Sequence, residues 1–498
     1  MAAFKVYKRR FISLFILALL NGICAANAAA FTTITSQTSN FFQISATKVN
    51  WLTNIFGAIY LVLAWFVPFL VQRAGIQAVC SIAMVTMTLG AWLRYAASCV
   101  PDIQSDAYIT PAYFLLFIGS LCISISQPLL QIIGPTFSEL YFAPRSRLTS
   151  TMIIALSNPL GQAITALVVP KMVPTHPANR EIRLLLLVLA IATLCLSVTV
   201  AGIRNRPPSP PSPVCDLPRE STLISWKILL GLHRPPAPDP EEEKAKRRLS
   251  RRATITVVRR NSSHQFELEH PIPHIDENIH QQHGMQIEKL GQLSARNRVD
   301  FMLLTILFGI FVGAFTSYST LIEQIYLPYG FDSTQSGLFI AAFVLTGSLC
   351  SSILSPILGR FCPGTSVQIV KIFGPLIGLA YAGLIWIVKG KDMGGIFLTN
   401  ILIGVFSFVS LPIALELAAD VTYTAIRPEF PTSILYVSAN GVSVLFLVIM
   451  DSLRGNADSS PPFEMSRALI FQGGAVLLSS LSIIGLQAKK RRPDIHMM

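Results

Sequence analysis

Charge is what this sequence has least of. Asp, Glu, Lys and Arg make up 13% of its 498 residues, about half the share of a soluble domain. The charges are also clustered, so long apolar runs carry few or none, and a string of ordinary soluble domains is excluded. Signatures of catalysis and metal binding are missing as well. The eight cysteines are scattered. Cys24, Cys80, Cys122, Cys195 and Cys350 lie inside apolar runs, and no C-x-x-C spacing supports a zinc site or a disulfide framework. No H-E-x-x-H string and no paired-carboxylate spacing occurs, and no nucleophile is placed beside a base. Neither an enzyme nor a cofactor is expected. The net charge of +13 would point to nucleic acid in a soluble chain, but its distribution gives it another meaning, and no nucleic-acid partner is expected.

Apolar residues are 52% of the chain. They fall in runs of about 20, the length a helix needs to cross roughly 30 Å of hydrocarbon. Lipid offers the backbone no hydrogen bonds, so such runs must be helices. Twelve spans are expected, at 11–31, 50–71, 77–97, 110–134, 149–169, 183–203, 299–322, 334–357, 367–388, 395–417, 431–451 and 466–487. The first, with Lys8, Arg9 and Arg10 before it and Ala-rich 25–30 at its end, also has the form of a cleavable signal peptide. Removing it would leave an odd number of spans and break the six-plus-six layout.

Lys and Arg set the orientation. With the N-terminus in the cytoplasm, that side receives 29 of the 39 basic residues and the other side 8, as the positive-inside rule requires. The expectation is a multi-pass protein of the plasma membrane or an organelle membrane, with both termini cytoplasmic. Residues 204–298 divide the chain into an N-terminal half (1–203) and a C-terminal half (299–498). Pro207, Pro208, Pro210, Pro211 and Pro213 open this linker, and its mixed charges and few aromatics read as mostly disordered. Within it, Leu223, Trp226, Lys227, Leu229 and Leu230 suit either a short helix in the cytoplasmic interface or a plain loop.

The two halves repeat. Glu139, Thr151 and Ser157 return as Asp420, Thr432 and Ser438, all offset by 281 residues. Six spans, a long linker and six more is the layout of the major facilitator superfamily, whose matching halves rock about a central site. The expected fold is therefore all-α and integral to the membrane, with twelve helices in two pseudo-symmetric sets of six.

Four strings sharpen the resemblance. WLTNIFGAIYL at 51–61, GAWLRYA at 90–96, STLIEQI at 319–325 and LELAADVTY at 415–423 resemble transporters related to the feline leukaemia virus subgroup C receptor. That resemblance implies a carrier of choline, ethanolamine or a similar amphiphilic solute, with haem also proposed for the family. Gln127 matches the family's glutamine in span four. Asn440 stands where the family has a glutamine in span eleven. The family's mid-span aromatic in span one is absent, because residues 24–30 read CAANAAA. A carrier of some other, neutral or anionic metabolite fits the same pattern, as does a non-transporting receptor or sensor on this fold.

Polar groups at mid-span are costly in lipid and mark sites. Gln127, Asn440, Asn158, Asn27 and Tyr318 are the candidate solute-binding residues, their amides and phenol able to orient a polar head; each has helix-to-helix bonding as its structural alternative. No mid-span carboxylate lies in spans one, four or seven, so facilitated diffusion is expected over proton coupling. Glu323 and Asp451 lie near outer ends. At the inner ends, Arg73 with Glu139, and Arg360 with Glu416 or Asp420, are expected to form a cytoplasmic gate. Arg94 is expected to snorkel or to cap a helix C-terminus. The linker histidines, at 264, 270, 274, 280 and 283, have no metal-site spacing. Ser250, Thr254 and Ser262 each follow Arg-Arg-X and are expected targets of a basophilic kinase. Their basic run would hold membrane lipids at about 1 kcal/mol per residue, and phosphate would release it.

Overall fold

The computed structural model describes residues 7–100, 111–142, 144–173, 179–207, 227–229, 293–361, 366–422 and 429–486. Every regular element among them is helical. In the first half these are α1 (Arg9–Ala28), α2 (Thr35–Phe42), α3 (Ala46–Leu63), α4 (Val67–Ser98), α5 (Pro111–Tyr141), α6 (Pro144–Met172) and α7 (Asn179–Thr199). In the second half they are α8 (Ala295–Thr320), α9 (Ile322–Tyr326), α10 (Ser333–Phe361), α11 (Ser366–Lys389), α12 (Met393–Thr422), α13 (Glu429–Ser452) and α14 (Ser466–Ser482).

Ten helices among the described residues are long and apolar enough to cross a membrane. Span two falls short of that measure because it is interrupted. α3 runs through Ala64–Phe66 into the start of α4, which turns back at Gly75. Gly75 has φ 82°, and a Cβ there would meet the Asn205 side chain at 2.5 Å. Span twelve falls short because α14 has only 17 residues before it tightens into the 3₁₀ turn Ile483–Gly485. Val198, Leu478 and Trp386 are 70% or more exposed, and large apolar side chains on several helices stand out in the same way. In water such a belt would drive aggregation; in lipid it is the expected outer surface.

Helix pairings repeat between halves. α1 packs on α6 as α8 packs on α13; α3 on α5 as α10 on α12; α4 on α7 as α11 on α14. The halves meet along two matching seams, α6 against α10 and α3 against α13. This is the two-fold repeat that the 281-residue offset suggests.

Most of 204–298 lies outside the described residues, including Ser250, Thr254, Ser262, the five histidines and Leu223, Trp226 and Leu230. Three residues of this stretch, 227–229, are described, and they are helical. Ile228 and Leu229 are 1% and 6% exposed, in a cluster with Phe301, Leu304 and Leu417. They pack on the protein, because the near ends of α8 and α12 present apolar surface there.

Close helix approach without a hydrophobic driving force needs small residues. On α6, a Cβ at Gly161 would overlap the carbonyl oxygen of Gly22 on α1, and backbone cannot yield as a flexible side chain can. Gly161→Ala should therefore destabilise the protein by about 1–3 kcal/mol, whereas Gly474→Ala, where nothing lies within 4 Å, should be neutral. Thermal unfolding of both variants in detergent checks this; equal melting temperatures would show that the α1–α6 contact is looser than described.

Candidate functional site

Helix direction defines two ends of the bundle. The near end carries the start of α1 and the end of α14; the far end carries α2 and α9. Between the halves lies a cavity of about 170 Å³, and its two walls differ in chemistry. The first half contributes amides: Asn54 on α3, Gln127 and Gln131 on α5, Asn158 and Gln162 on α6. The second half contributes most of the rings, Phe308, Phe311 and Phe315 on α8, Phe408 on α12 and Tyr436 on α13, together with one amide, Asn440; Phe56 on α3 adds a ring to the first. Among the described residues, no Asp, Glu, Lys, Arg or His lines it.

Local structure explains both walls. Gln127 and Gln131 are four residues apart on α5 and so share a face. The Oε1 of each is buried without a hydrogen-bond partner, a vacancy that costs about 1–3 kcal/mol until something donates to it. Pro159 has no N–H, so the Ala155 carbonyl one turn earlier, also on the cavity wall, loses its helical donor. On the facing wall Phe315 stacks on Phe343 with ring centroids 5.0 Å apart and meets Phe408 edge-on at 5.5 Å. Phe308 meets Tyr436 edge-on at 5.6 Å. These contacts fix the ring orientations in the cavity.

Three of the five expected binding residues, Gln127, Asn158 and Asn440, line the cavity. The Asn440 Nδ2 donates to the Tyr436 carbonyl at 2.8 Å, which orients its amide. Asn27 and Tyr318 do not line it. Asn27 is 1% exposed, and its Nδ2 donates to Thr193 Oγ1 at 3.0 Å, tying α1 to α7. The Tyr318 hydroxyl lies 2.8 Å from Asn400 Oδ1 and 2.7 Å from the Tyr326 hydroxyl. Both sit at the right depth but on the wrong face, and depth alone does not choose a face. Gln131, Asn54 and Gln162 went unrecognised, although the i, i+4 spacing from Gln127 marks Gln131.

Arg94 does not snorkel. It is 1% exposed, and its Nη1 donates to the Asn27 carbonyl at 2.6 Å in the last turn of α1. Its Nε and Nη2 donate to Ser120 Oγ at 3.0 and 2.8 Å, and its guanidinium lies 5.2 Å from the Phe31 ring and 5.9 Å from Phe56. The capping expectation holds, on a helix other than its own. It fixes the end of α1, where Ala28, Ala29 and Thr32 form cavity wall.

Of the expected near-end gate, Arg73 is exposed, with its guanidinium 5.7 Å from the Phe69 ring. Asp420 is 4% exposed. The side chains of Glu139, Arg360 and Glu416 lie outside the described residues. The polar seam that the structure does describe is at the far end. Asn50 on α3 exchanges hydrogen bonds with Gln324 on α9, at 2.7 and 3.4 Å. Asn50 and Thr47 donate to Asp451 on α13 at 3.0 and 2.8 Å, and Gln37 on α2 donates to Ser333 on α10 at 3.0 Å. Gln162 donates to Ser319 across the halves at 2.8 Å, just above the cavity. The far side is closed over the site.

Two half-bundles around a closed-over polar cavity is the geometry of one transporter class, and comparison with known proteins decides which. A sequence model of the Major Facilitator Superfamily matches residues 11–446. The chain belongs to this superfamily. It is 23% identical over 485 residues to solute carrier family 49 member A3 of Xenopus tropicalis, covering 95% of this chain and 84% of that protein. It is 22% identical over 438 residues to the choline/ethanolamine transporter FLVCR1 of Mus terricolor, covering 83% of this chain but only 65% of that one. Among solved structures, a D-xylose–proton symporter superposes with a TM-score of 0.63 at 11% identity, covering 97% and 98% of the two chains. The Major Facilitator Superfamily transporter FucP, in its outward conformation, superposes at 0.57 with 10% identity, covering 96% of this chain and 100% of that chain. These structures share the fold. The protein is thus a superfamily transporter with relatives in the feline leukaemia virus receptor family.

In this transporter Gln127→Leu and Asn440→Leu should each weaken solute affinity about 3- to 10-fold, the value of one neutral hydrogen bond, with melting temperature unchanged. Asn27→Ala should do the opposite, lowering the melting temperature and sparing affinity. Half-saturation of uptake and thermal unfolding on the same preparations check the split; reversed phenotypes would overturn the placement of these amides.

Proposed function

We propose that the protein is an alternating-access carrier of a small amphiphilic organic solute of the choline or ethanolamine type. The observation that carries this reading is a mainly amide wall facing a mainly aromatic one in a cavity with no ionised residue among its described lining. An ammonium group on the rings gains about 0.5–2 kcal/mol of cation–π attraction, while the amides orient a hydroxyl at the other end of the same molecule. The FLVCR1 relatives, named as choline/ethanolamine transporters, support this class. At about 170 Å³ the cavity is smaller than the roughly 300–1,000 Å³ of drug-sized sites. Haem would need a wider cavity, and among the described residues no His, Cys or Met lines this one to ligate iron.

The mode of transport follows from the lining. With no carboxylate among the described lining residues to exchange a proton, transport down the solute's own gradient is the favoured reading. The excess of basic residues supports a cytoplasmic near end, and on that reading the described state is closed to the outside. A receptor or sensor on the same fold would bind solute without moving it, which separates the two readings experimentally.

The test is a thermal-shift panel of choline, ethanolamine and their analogues, followed by uptake of the labelled solute into proteoliposomes. Stabilisation with saturable, cross-competed uptake is expected. Stabilisation without flux would establish the sensor instead, and the absence of both stabilisation and uptake would rule out this solute class.

A further inference from the structure

The far-end seam holds two carboxylates in different circumstances. Asp451 has a counterion, with Arg454 Nη1 3.8 Å from its Oδ1, and it is only partly buried. Glu323 is 1% exposed, and none of its described partners is a cation. Its Oε1 accepts from Ser333 Oγ at 3.1 Å and from Ser36 Oγ, and its Oε2 accepts from the Ser36 N–H at 3.3 Å. Ser36 is in the first turn of α2. A carboxyl group of the second half therefore holds the start of a helix of the first.

The position is mechanically pointed. α1 breaks after Ala28 and resumes as α2; α8 breaks at Leu321 and resumes as α9. Each half thus ends in a short tilted tip at the far end, and Glu323 ties the two tips together. When the far end opens, as alternating access requires, those contacts must part and Glu323 must meet water.

The neighbouring titratable groups are engaged elsewhere. No residue of α2 is titratable. Asp332, before α10, is exposed and accepts from the Gln335 N–H at 2.7 Å. On α9, Tyr326 bonds Tyr318 and Asn400. Arg454, just beyond α13, donates to Gln324 at 2.8 Å, and Lys48 on α3 lies 5.5 Å from the Tyr113 ring.

We propose that Glu323 takes up a proton when the far end closes and returns it to the far-side water when that end opens, so that the equilibrium between the two states depends on pH. The step is one O–H bond formed on the carboxylate from a solvent proton, and the same bond broken on opening. The neutral acid fits the closed contacts. Its O–H can donate to Ser36 Oγ or Ser333 Oγ, since hydroxyls accept as well as donate, and its carbonyl oxygen keeps the Ser36 N–H. Desolvation pushes the buried carboxyl above its ordinary range, and the hydrogen bonds from Ser36 and Ser333 pull it part of the way back. In water the same group is ionised at neutral pH. The closed state is therefore favoured fully below the open-state pKa, and that advantage is lost as pH rises through the raised closed-state pKa. Acid closes the far end and alkali opens it. This inference rests on the two-state cycle proposed above but not on the identity of its solute.

The experiment uses the full chain in nanodiscs without solute, spin-labelled at Asn40 and Thr334, with the label-to-label distance measured by pulsed electron resonance from pH 5.5 to 8.5. The open-to-closed ratio should rise with pH by up to about tenfold per unit, the limit for one linked proton. In Glu323→Gln, which mimics the neutral acid, the ratio should be flat and equal to the acid limit of the unsubstituted protein. A pH-independent ratio in the unsubstituted protein, or an unchanged slope in Glu323→Gln, would overturn the proposal. Because the unsubstituted curve is decisive by itself, poor folding of the variant does not rescue the idea. Because no solute is present, a failed uptake assay leaves this result intact.

Discussion

Hydrocarbon forms no hydrogen bonds, and a polar group turned toward it loses several kcal/mol. That constraint decides where each uncommon residue of this chain goes. Backbone groups are satisfied within helices, which makes the fold all-helical among the described residues. Polar side chains gather where the two halves face each other, or where another helix of the same half supplies a partner, as for Asn27, Tyr318 and Arg94. The amides of Asn54, Gln127, Gln131 and Asn158 line the cavity, the seam from Asn50 to Asp451 closes it, and Arg94 is buried where the Asn27 carbonyl and Ser120 receive it. The cavity and the far-end seam are thus the same surface at two heights.

Repetition gives that surface its capacity to move. The first and second halves use equivalent helix pairs internally, and they touch through equivalent pairs across the interface. Packed interfaces of this kind switch between discrete arrangements rather than deforming continuously. The far-end contacts are neutral hydrogen bonds for the most part, each worth about 0.5–1.5 kcal/mol net. A set of several holds one state without making the other inaccessible. Fully apolar contact there would lack direction, and several buried ion pairs would be hard to separate.

The fold was legible in the sequence because its signal is coarse. Twenty-residue apolar runs, the charge-rich linker and the 281-residue repeat each survive errors of a few residues. The site was legible only in part. Depth in the membrane can be counted along a helix, which found Gln127, Asn158 and Asn440. Facing requires the rotation of the helix, and there the reading of Asn27 and Tyr318 diverged, since each satisfies a neighbouring helix. The far-end seam was not legible as a seam. Ser36, Asn50, Glu323 and Asp451 come from four separate elements just past the apolar runs, where polar residues ordinarily mean nothing more than the water boundary. Arg94 illustrates the same limit. Its place near a span end suggested the surface, and only the break in α1 shows what it holds.

The central claim is that solute passes between halves that must separate at the far end in every cycle. Cysteines at Gln37 and Ser333, whose side chains hydrogen-bond across the halves at 3.0 Å, allow a direct check. In a background without the native cysteines, they are joined by a short reducible bis-thiosulfonate, and solute uptake into proteoliposomes is measured before linking, after linking and after reduction. The account predicts that linking stops uptake, that reduction restores it, and that either single cysteine treated alike transports normally. Undiminished uptake with the far end fastened shut would contradict it.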